Sequence, residues 1–219
     1  MIKAILYTMF FAAVTLALPS SSSAALNVSH LATDAEMLSL LSDTLFVAEG
    51  RIGDRGGAAT FEIDLGQSTG SPETSAQYDW QSGVPVPFAL TYDYITNDVV
   101  FTVDDVVLYW TSELSGYSDI FVRMRAVNAD SEILVDDLIL DVEAVNDAAY
   151  AEGNGSGLDI LWINGGTMGN GFTLTGTVTM SWTGTPPSQS RLAFQIKVGK
   201  LQGVPVDETS WGRIKSLYR

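Results

Sequence analysis

The stretch Phe172–Trp182, FTLTGTVTMSW, sets large apolar side chains alternately with hydroxyl side chains. Its apolar phase consists of Phe172, Leu174, Val178, Met180 and Trp182. Successive side chains of a β-strand point to opposite faces of the sheet, so a two-residue period indicates one buried face and one wet face. The stretch therefore predicts a strand of an antiparallel sheet, with the Trp182 ring in the core.

The rest of the chain repeats this pattern. Ile120–Ala126 and Leu192–Val198 alternate in the same way. Further candidate strands are Leu45–Glu49, Thr60–Leu65, Phe88–Tyr92, Val99–Val103, Val106–Trp110, Ile133–Val142 and Leu158–Ile163. Pairs such as Asn97-Asp98 and Asp104-Asp105 are typical of the turns between them. We expect an all-β fold, an antiparallel β-sandwich of jelly-roll type, with an Ig-like sandwich as the alternative.

One short helix is expected before the first of these strands. Thr33 can cap a helix over Asp34 to Leu41, which would place Met37, Leu38 and Leu41 on one face.

The N-terminus has the order of a secretory signal peptide. Lys3 precedes an apolar run, Pro19 breaks it, and the small pair Ala24-Ala25 follows. A retained membrane anchor is the alternative, but the run is short for a span of roughly 20 residues. We therefore expect an exported protein, extracellular or on the cell surface and of bacterial type, with a signal peptide at 1–25, one domain at 26–203 and a tail at 204–219.

The charge excludes some partners. The chain has 11 Lys and Arg against 26 Asp and Glu, a formal net charge of −15. Such an acidic chain repels nucleic acid and anionic lipid surfaces. No nucleic-acid partner is expected, and no membrane span is expected once the signal is removed.

The sequence lacks the residues that several kinds of catalytic and metal site require. There is no cysteine and one histidine. That residue, His30, follows the leader and is interpreted as an exposed linker residue. A thiol nucleophile, a Cys/His zinc site and a Ser-His-Asp arrangement with a secure base are therefore not supported, and no catalytic or cofactor-binding residue is assigned.

Carboxylates are too numerous to choose among. Glu49, Glu62, Asp64, Asp79 or Glu113 could supply the pair that a glycoside hydrolase needs, but most carboxylates of an acidic sandwich belong to the solvated surface. Asp136 and Asp137 interrupt the alternation of a strand. If 118–127 and 132–142 form a hairpin, Asp136 lies near Arg123 and Arg125, which predicts a cross-strand ion pair or a bulge.

The sequence is compatible with two kinds of ligand, a calcium ion and a sugar. Structural calcium is plausible because oxygen ligands abound, although the EF-hand loop pattern is absent and no metal-binding residues are assigned. An aromatic platform for a sugar ring could come from Tyr78, Trp80, Tyr92, Trp110 or Trp162, although aromatics in sandwiches are more often core residues.

Two segments resemble a known family. Leu45–Asp54 with Ala59–Gly66, and Gly171–Gly184 running into Leu192–Gly199, look like a choice-of-anchor domain of the W type. Such domains are bacterial secreted or surface domains that occur with different C-terminal sorting signals. The resemblance implies surface residence and brings no catalytic residues.

The C-terminal tail differs in composition from the domain. After Val204-Pro205, an amphipathic peptide carries basic residues in its later turns, as the helix dipole favours. We interpret it as a sorting tag read by secretion machinery; a terminal helix packed on its own domain and a frayed end are the alternatives. The residues assigned to the tag are Trp211, Gly212, Arg213, Ile214, Lys215 and Tyr218.

Together these features predict an exported, non-catalytic surface or matrix-type domain delivered by its tail. A carbohydrate- or calcium-binding module is the alternative, with surface glycan as a possible partner, and a glycoside hydrolase is the third hypothesis. The ligand and the oligomeric state are left open.

Overall fold

The computed structural model describes residues 25–53, 62–67, 72–155, 157–165 and 171–201. The signal sequence, apart from Ala25, and all assigned tail residues lie outside these ranges. Within them, no helix is long and apolar enough to cross a membrane.

The described chain is nearly all β-strand. Its elements are β1 (Leu26–Leu31), α1 (Asp34–Leu40), β2 (Leu41–Arg51), β3 (Ile63–Gly66), β4 (Thr74–Ala76), β5 (Val84–Tyr92), β6 (Asp98–Val103), β7 (Val106–Thr111), β8 (Asp119–Ala126), β9 (Ser131–Leu140), β10 (Glu143–Ala144), β11 (Ala149–Glu152), β12 (Leu158–Gly165), β13 (Phe172–Trp182) and β14 (Leu192–Leu201).

These strands form two antiparallel sheets. Sheet 1 has the order β1-β12-β8-β14-β2-β3-β4, and sheet 2 has the order β10-β9-β13-β5-β6-β7 with β11 also paired to β9. Four strands of each sheet, β2-β14-β8-β12 and β5-β13-β9-β11, interleave along the chain as in a jelly roll. The predicted antiparallel sandwich of jelly-roll type is confirmed.

The core lies between the sheets and is built by the alternating residues. Phe194 of β14 is at its centre, with ring centroids 5.5 Å from Phe88 and 6.3 Å from both Phe101 and Trp80. All four side chains are buried. Because burying one such ring stabilises by about 1.5–3 kcal/mol, this contact holds the two sheets together without a disulfide.

Helix α1 covers part of the outer face of sheet 1. The Thr33 hydroxyl accepts a hydrogen bond from the Glu36 amide at 3.1 Å, as expected of the N-cap. Met37 and Leu41 are buried over Phe121 in a small second core. The prediction that Leu38 shares this apolar face is wrong, since its side chain is 60% exposed.

The predicted hairpin between strands 118–127 and 132–142 is wrong. The connection after β8 crosses to the other layer, so β8 and β9 belong to different sheets. Arg123 instead forms a two-pronged ion pair with Asp34, at 2.6 and 2.7 Å. The bulge alternative is confirmed: the β9–β13 register shifts between Thr175 and Thr177, and Asp137 adopts a φ of 51°.

The His30 side chain is exposed, as predicted (43%), but the interpretation of His30 as a linker residue is wrong. His30 lies in β1, the edge strand of sheet 1, opposite Leu161 of β12. Its Nδ1 is 2.8 Å from Asp159 and its Nε2 is 3.3 Å from Asp147. Partial burial lowers the pKa of His30, but the hydrogen bonds and charges of Asp159 and Asp147 outweigh it, so the pKa is raised above 6.5.

We predict that β1 is held more tightly to β12 at acidic pH than at alkaline pH. A raised histidine pKa means that the folded state holds the proton more strongly, so the added stability is fully present below pH 6.5 and is lost as the pH rises through the folded-state pKa. His30→Gln should reduce amide-exchange protection of β1 more at pH 5.5 than at pH 8.5. The control Ser29→Ala should show no such difference, and an equal loss for His30→Gln at both pH values would contradict the ion-pair role.

Candidate functional site

A cavity of about 270 Å³ opens at one end of the sandwich, between the segment before β5 and the end of β13. Three aromatic side chains, Tyr78, Trp80 and Trp182, line it together with Pro186. Its other lining residues are Ile52, Glu62, Gln77 and Asp79. We call this cavity the aromatic cleft. A lining of rings with a few polar groups is typical of small-ligand sites, and the volume lies just below their usual range of roughly 300–1,000 Å³.

The core positions the inner wall of the aromatic cleft. The Trp80 ring meets Phe194 edge-on at an interplanar angle of 89°, so the centre of the core fixes Trp80. Tyr78 packs on Trp80 at 4.6 Å with an interplanar angle of 65°. The two rings are therefore two walls at an angle, and they do not form a flat platform.

A serine fixes the outer wall. The Ser82 hydroxyl donates to the Trp182 carbonyl at 2.8 Å and accepts from the Trp182 amide at 2.9 Å. Gly83, with a φ of 74°, also donates to the Met180 carbonyl. These bonds join the turn before β5 to the end of β13, so the backbone that carries Trp182 is held beside Trp80.

The polar groups of the aromatic cleft are anchored by the surrounding backbone. Glu62 is 1% exposed and accepts a hydrogen bond from the Gly53 amide at 2.8 Å. Asp79 accepts one from Gln81 at 2.9 Å. The Tyr78 hydroxyl donates to Asp104 at 3.3 Å, and burial followed by the Asp104 charge raises the pKa of Tyr78.

Trp80 leaves one polar atom unused. Its indole N–H is buried and has no hydrogen-bond partner among the described residues. A buried donor without a partner costs roughly 1–3 kcal/mol, and Trp normally finds one. Trp80, which lines the aromatic cleft, therefore carries a buried hydrogen-bond donor that has no partner among the described residues.

Trp182 lines two further recesses. One, of about 240 Å³, includes Glu132, Glu152 and Ser181. The other includes Asp130 and Arg191. Trp182 is therefore a lining residue shared by the aromatic cleft and both recesses.

The five aromatic residues considered for a sugar-binding platform lie in separate parts of the structure. Tyr78 and Trp80 meet in the aromatic cleft, Tyr92 is in the core, and Trp110 is half-buried beside the core. Trp162 lies on the outer face of sheet 1, stacked on Phe121 at 6.0 Å, with its N–H donating to Asp119 at 2.7 Å.

Trp182 was missed as a cleft residue because its alternation predicts a core position. The structure shows it half-buried against the core while one side faces the aromatic cleft. Its place as the last residue of a strand, before a loop containing Gly184 and Pro186, is the signal that could have indicated a rim position.

The five candidate carboxylates lie in different places. Glu49 and Asp64 are directly opposite each other on β2 and β3, Glu62 and Asp79 line the aromatic cleft, and Glu113 is exposed after β7. Among the described residues, no three His, Asp or Glu side chains form a metal-binding group. Structural calcium stays a prediction.

Glu49 and Asp64 share one arginine on the outer face of sheet 1. Arg51 Nη1 is 3.0 Å from Glu49 Oε2, and Arg51 Nη2 is 2.7 Å from Asp64 Oδ2. The second contact is an ion pair that lacks the alignment of a hydrogen bond. Asp64 Oδ2 accepts no hydrogen bond from the described residues. Burial, followed by the Glu49 charge, raises the pKa of Asp64 from 3.8 to about 7, and burial also raises the pKa of Glu49.

We predict that this pair makes the fold less stable as the pH rises from about 4 to 7. In that window the folded protein retains a proton on Asp64 that the unfolded chain has released, so the free energy of unfolding falls by up to about 1.4 kcal/mol per pH unit. Asp64→Asn removes the titration and should flatten the slope, as measured by urea unfolding at pH 5, 6, 7 and 8.

Asp105→Asn, the same charge change in an exposed turn, is the matched control and should keep the wild-type slope. An unchanged slope in Asp64→Asn would contradict the assignment.

No protein-family model matches the chain, and no curated protein matches it.

Proposed function

We propose that the chain is an exported, non-catalytic domain of the bacterial cell surface or extracellular matrix, which binds a saccharide in the aromatic cleft. The leader-like N-terminus, the acidic composition and the resemblance to choice-of-anchor domains support the location. The observation that carries the binding function is the meeting of Tyr78, Trp80 and Trp182 around one cavity.

The residues suit a sugar ring. A pyranose has apolar C–H faces and a hydroxyl perimeter, so it needs aromatic walls and hydrogen-bonding groups together. The aromatic cleft supplies rings on two sides and oxygens from the exposed side chains of Gln77 and Asp79, while the Glu62 carboxylate, at 1% exposure, contributes only its negative charge. These oxygens accept hydrogen bonds from hydroxyls, and the two carboxylates disfavour an anionic sugar. A neutral saccharide is therefore the favoured ligand.

The other two hypotheses have less support. A glycoside hydrolase needs two carboxylates facing a substrate, whereas the Glu49–Asp64 pair is held by Arg51 and both residues are at most 2% exposed. Glu62, at 1% exposure, binds the backbone of Gly53. Calcium binding has no cluster of ligands among the described side chains to support it.

The first test is a binding survey with soluble neutral polysaccharides, read as the thermal midpoint. A ligand at about a hundred times its dissociation constant adds roughly 2.7 kcal/mol, a rise of about 5–10 °C for a domain of this size. Trp182→Ala should weaken binding of the selected polysaccharide about tenfold or more, because it removes one ring of the site.

Tyr94→Ala is the matched control, since Tyr94 is an exposed aromatic residue (45%) outside the cleft lining. Equal affinity of Trp182→Ala and Tyr94→Ala would refute the site. A panel without any shift would refute saccharide binding. Release of reducing ends from the bound polysaccharide would favour the hydrolase instead.

The tail is tested separately. We propose that residues 204–219 deliver the domain to the surface, so deletion of this segment should change the fraction of protein found on cells while leaving the thermal midpoint within about 2 °C. An unchanged cell-bound fraction would contradict the sorting role and leave the cleft hypothesis intact.

A further inference from the structure

The aromatic cleft encloses its cavity from several directions. The planes of Tyr78 and Trp80 meet at 65° with their centroids 4.6 Å apart, and Trp182 lines the same cavity from the end of β13. Trp80 is buried, whereas Tyr78 and Trp182 are half-buried. A compact, rounded group can therefore contact more than one ring at once, as in an aromatic cage.

Negative charge surrounds this cavity. The Asp79 side chain lines it and is exposed, and the Asp104 carboxylate accepts the hydrogen bond of the Tyr78 hydroxyl at 3.3 Å. Burial raises the pKa of Tyr78, and the charges of this carboxylate and of Asp105 and Asp79 raise it further. None of the described lining residues is Lys or Arg, and Arg191 lines a neighbouring recess instead. A concave site with one sign of charge concentrates ions of the opposite sign.

Rings and negative charge together favour a cation with an apolar surface. The face of a Trp or Tyr ring attracts a cation that lies within about 6 Å of its centroid. A primary ammonium has three N–H donors and gives up strong hydration when it enters such a cavity. A trimethylammonium group has no donor and contacts the rings through its methyl groups. It needs no hydrogen bond from Asp79, which already accepts one from Gln81, and the cavity of about 270 Å³ has room for it.

We propose that the aromatic cleft is also a binding site for a trimethylammonium group, carried by a small cation or by a lipid headgroup. The methyl groups contact Tyr78, Trp80 and Trp182, and the Asp79 carboxylate supplies the balancing charge. The formal charge of −15 raises the concentration of cations around the whole chain. This inference does not rest on saccharide binding, because a sugar is recognised through its hydroxyls and this group through its charge.

The test is a calorimetric titration of the purified full chain with choline and with its neutral isostere, in which a tert-butyl group replaces the trimethylammonium group. The two molecules have nearly the same shape, and only choline is charged. We expect choline to bind about tenfold more tightly, because the isostere fills the cavity without the attraction of the rings and carboxylates for a cation. Equal affinities, or no choline binding at millimolar concentrations, overturn the proposal.

Two variants locate the binding. Trp182→Leu removes a ring but keeps an apolar side chain, and Asp79→Asn removes a charge. Each should reduce the preference for choline over the isostere about threefold or more. Tyr94→Leu and Asp93→Asn are the matched controls, since they remove a ring and a charge from the exposed turn at the opposite end of β5, and they should leave the preference unchanged.

A preference for choline that survives either variant in its folded form overturns the proposal. Thermal midpoints within about 3 °C of wild type show that the variants are folded; if Trp182→Leu falls outside this limit, Asp79→Asn decides.

A further arm distinguishes the two sources of the group. Cosedimentation with phosphatidylcholine vesicles that free choline abolishes assigns the group to a lipid headgroup, whereas choline binding without cosedimentation assigns it to a small cation. The polysaccharide survey uses different probes, so failure of choline binding leaves the saccharide proposal standing, and a survey without any shift leaves the choline result standing.

Discussion

The contact of the Phe194 ring with the facing sheet is the interaction on which the rest of the structure depends. It joins β14, in the middle of sheet 1, to Phe88 and Phe101 of sheet 2, and it also fixes Trp80. Gly50 leaves the room that this ring needs, because a Cβ there would lie 2.3 Å from the Phe194 ring. Core packing and the shape of the aromatic cleft are therefore set by the same atoms.

The two sheets use their outer faces differently. Sheet 1 carries α1, a small second core and a set of ion pairs, including the buried Glu49 and Asp64 around Arg51. Taking two carboxylates out of water with one shared arginine is costly, which is why the pKa of Asp64 rises. Among the described residues, sheet 2 has no covering helix, and its strands contain no Lys or Arg.

Local alternation was enough to predict most strands and the sandwich, because a period of two is a property of neighbouring residues. β13 begins and ends where its pattern predicts. Local signals could not predict that β8 and β9 lie in different layers, since a short connection can turn back or cross over. For the same reason, Tyr78, Trp80 and Trp182 could not be assigned to one cleft: the Ser82–Trp182 bonds that join them span 100 residues.

The position of β14 has a mechanical consequence. The last described strand runs through the middle of sheet 1, hydrogen-bonded to β2 on one side and β8 on the other. Bonds of an antiparallel ladder are perpendicular to the strands, so tension along β14 loads both ladders in shear, many bonds at once. A domain tethered through the end of β14 would therefore load two ladders together, whereas tension along β1 loads one, because β1 is paired on one side in the described sheet.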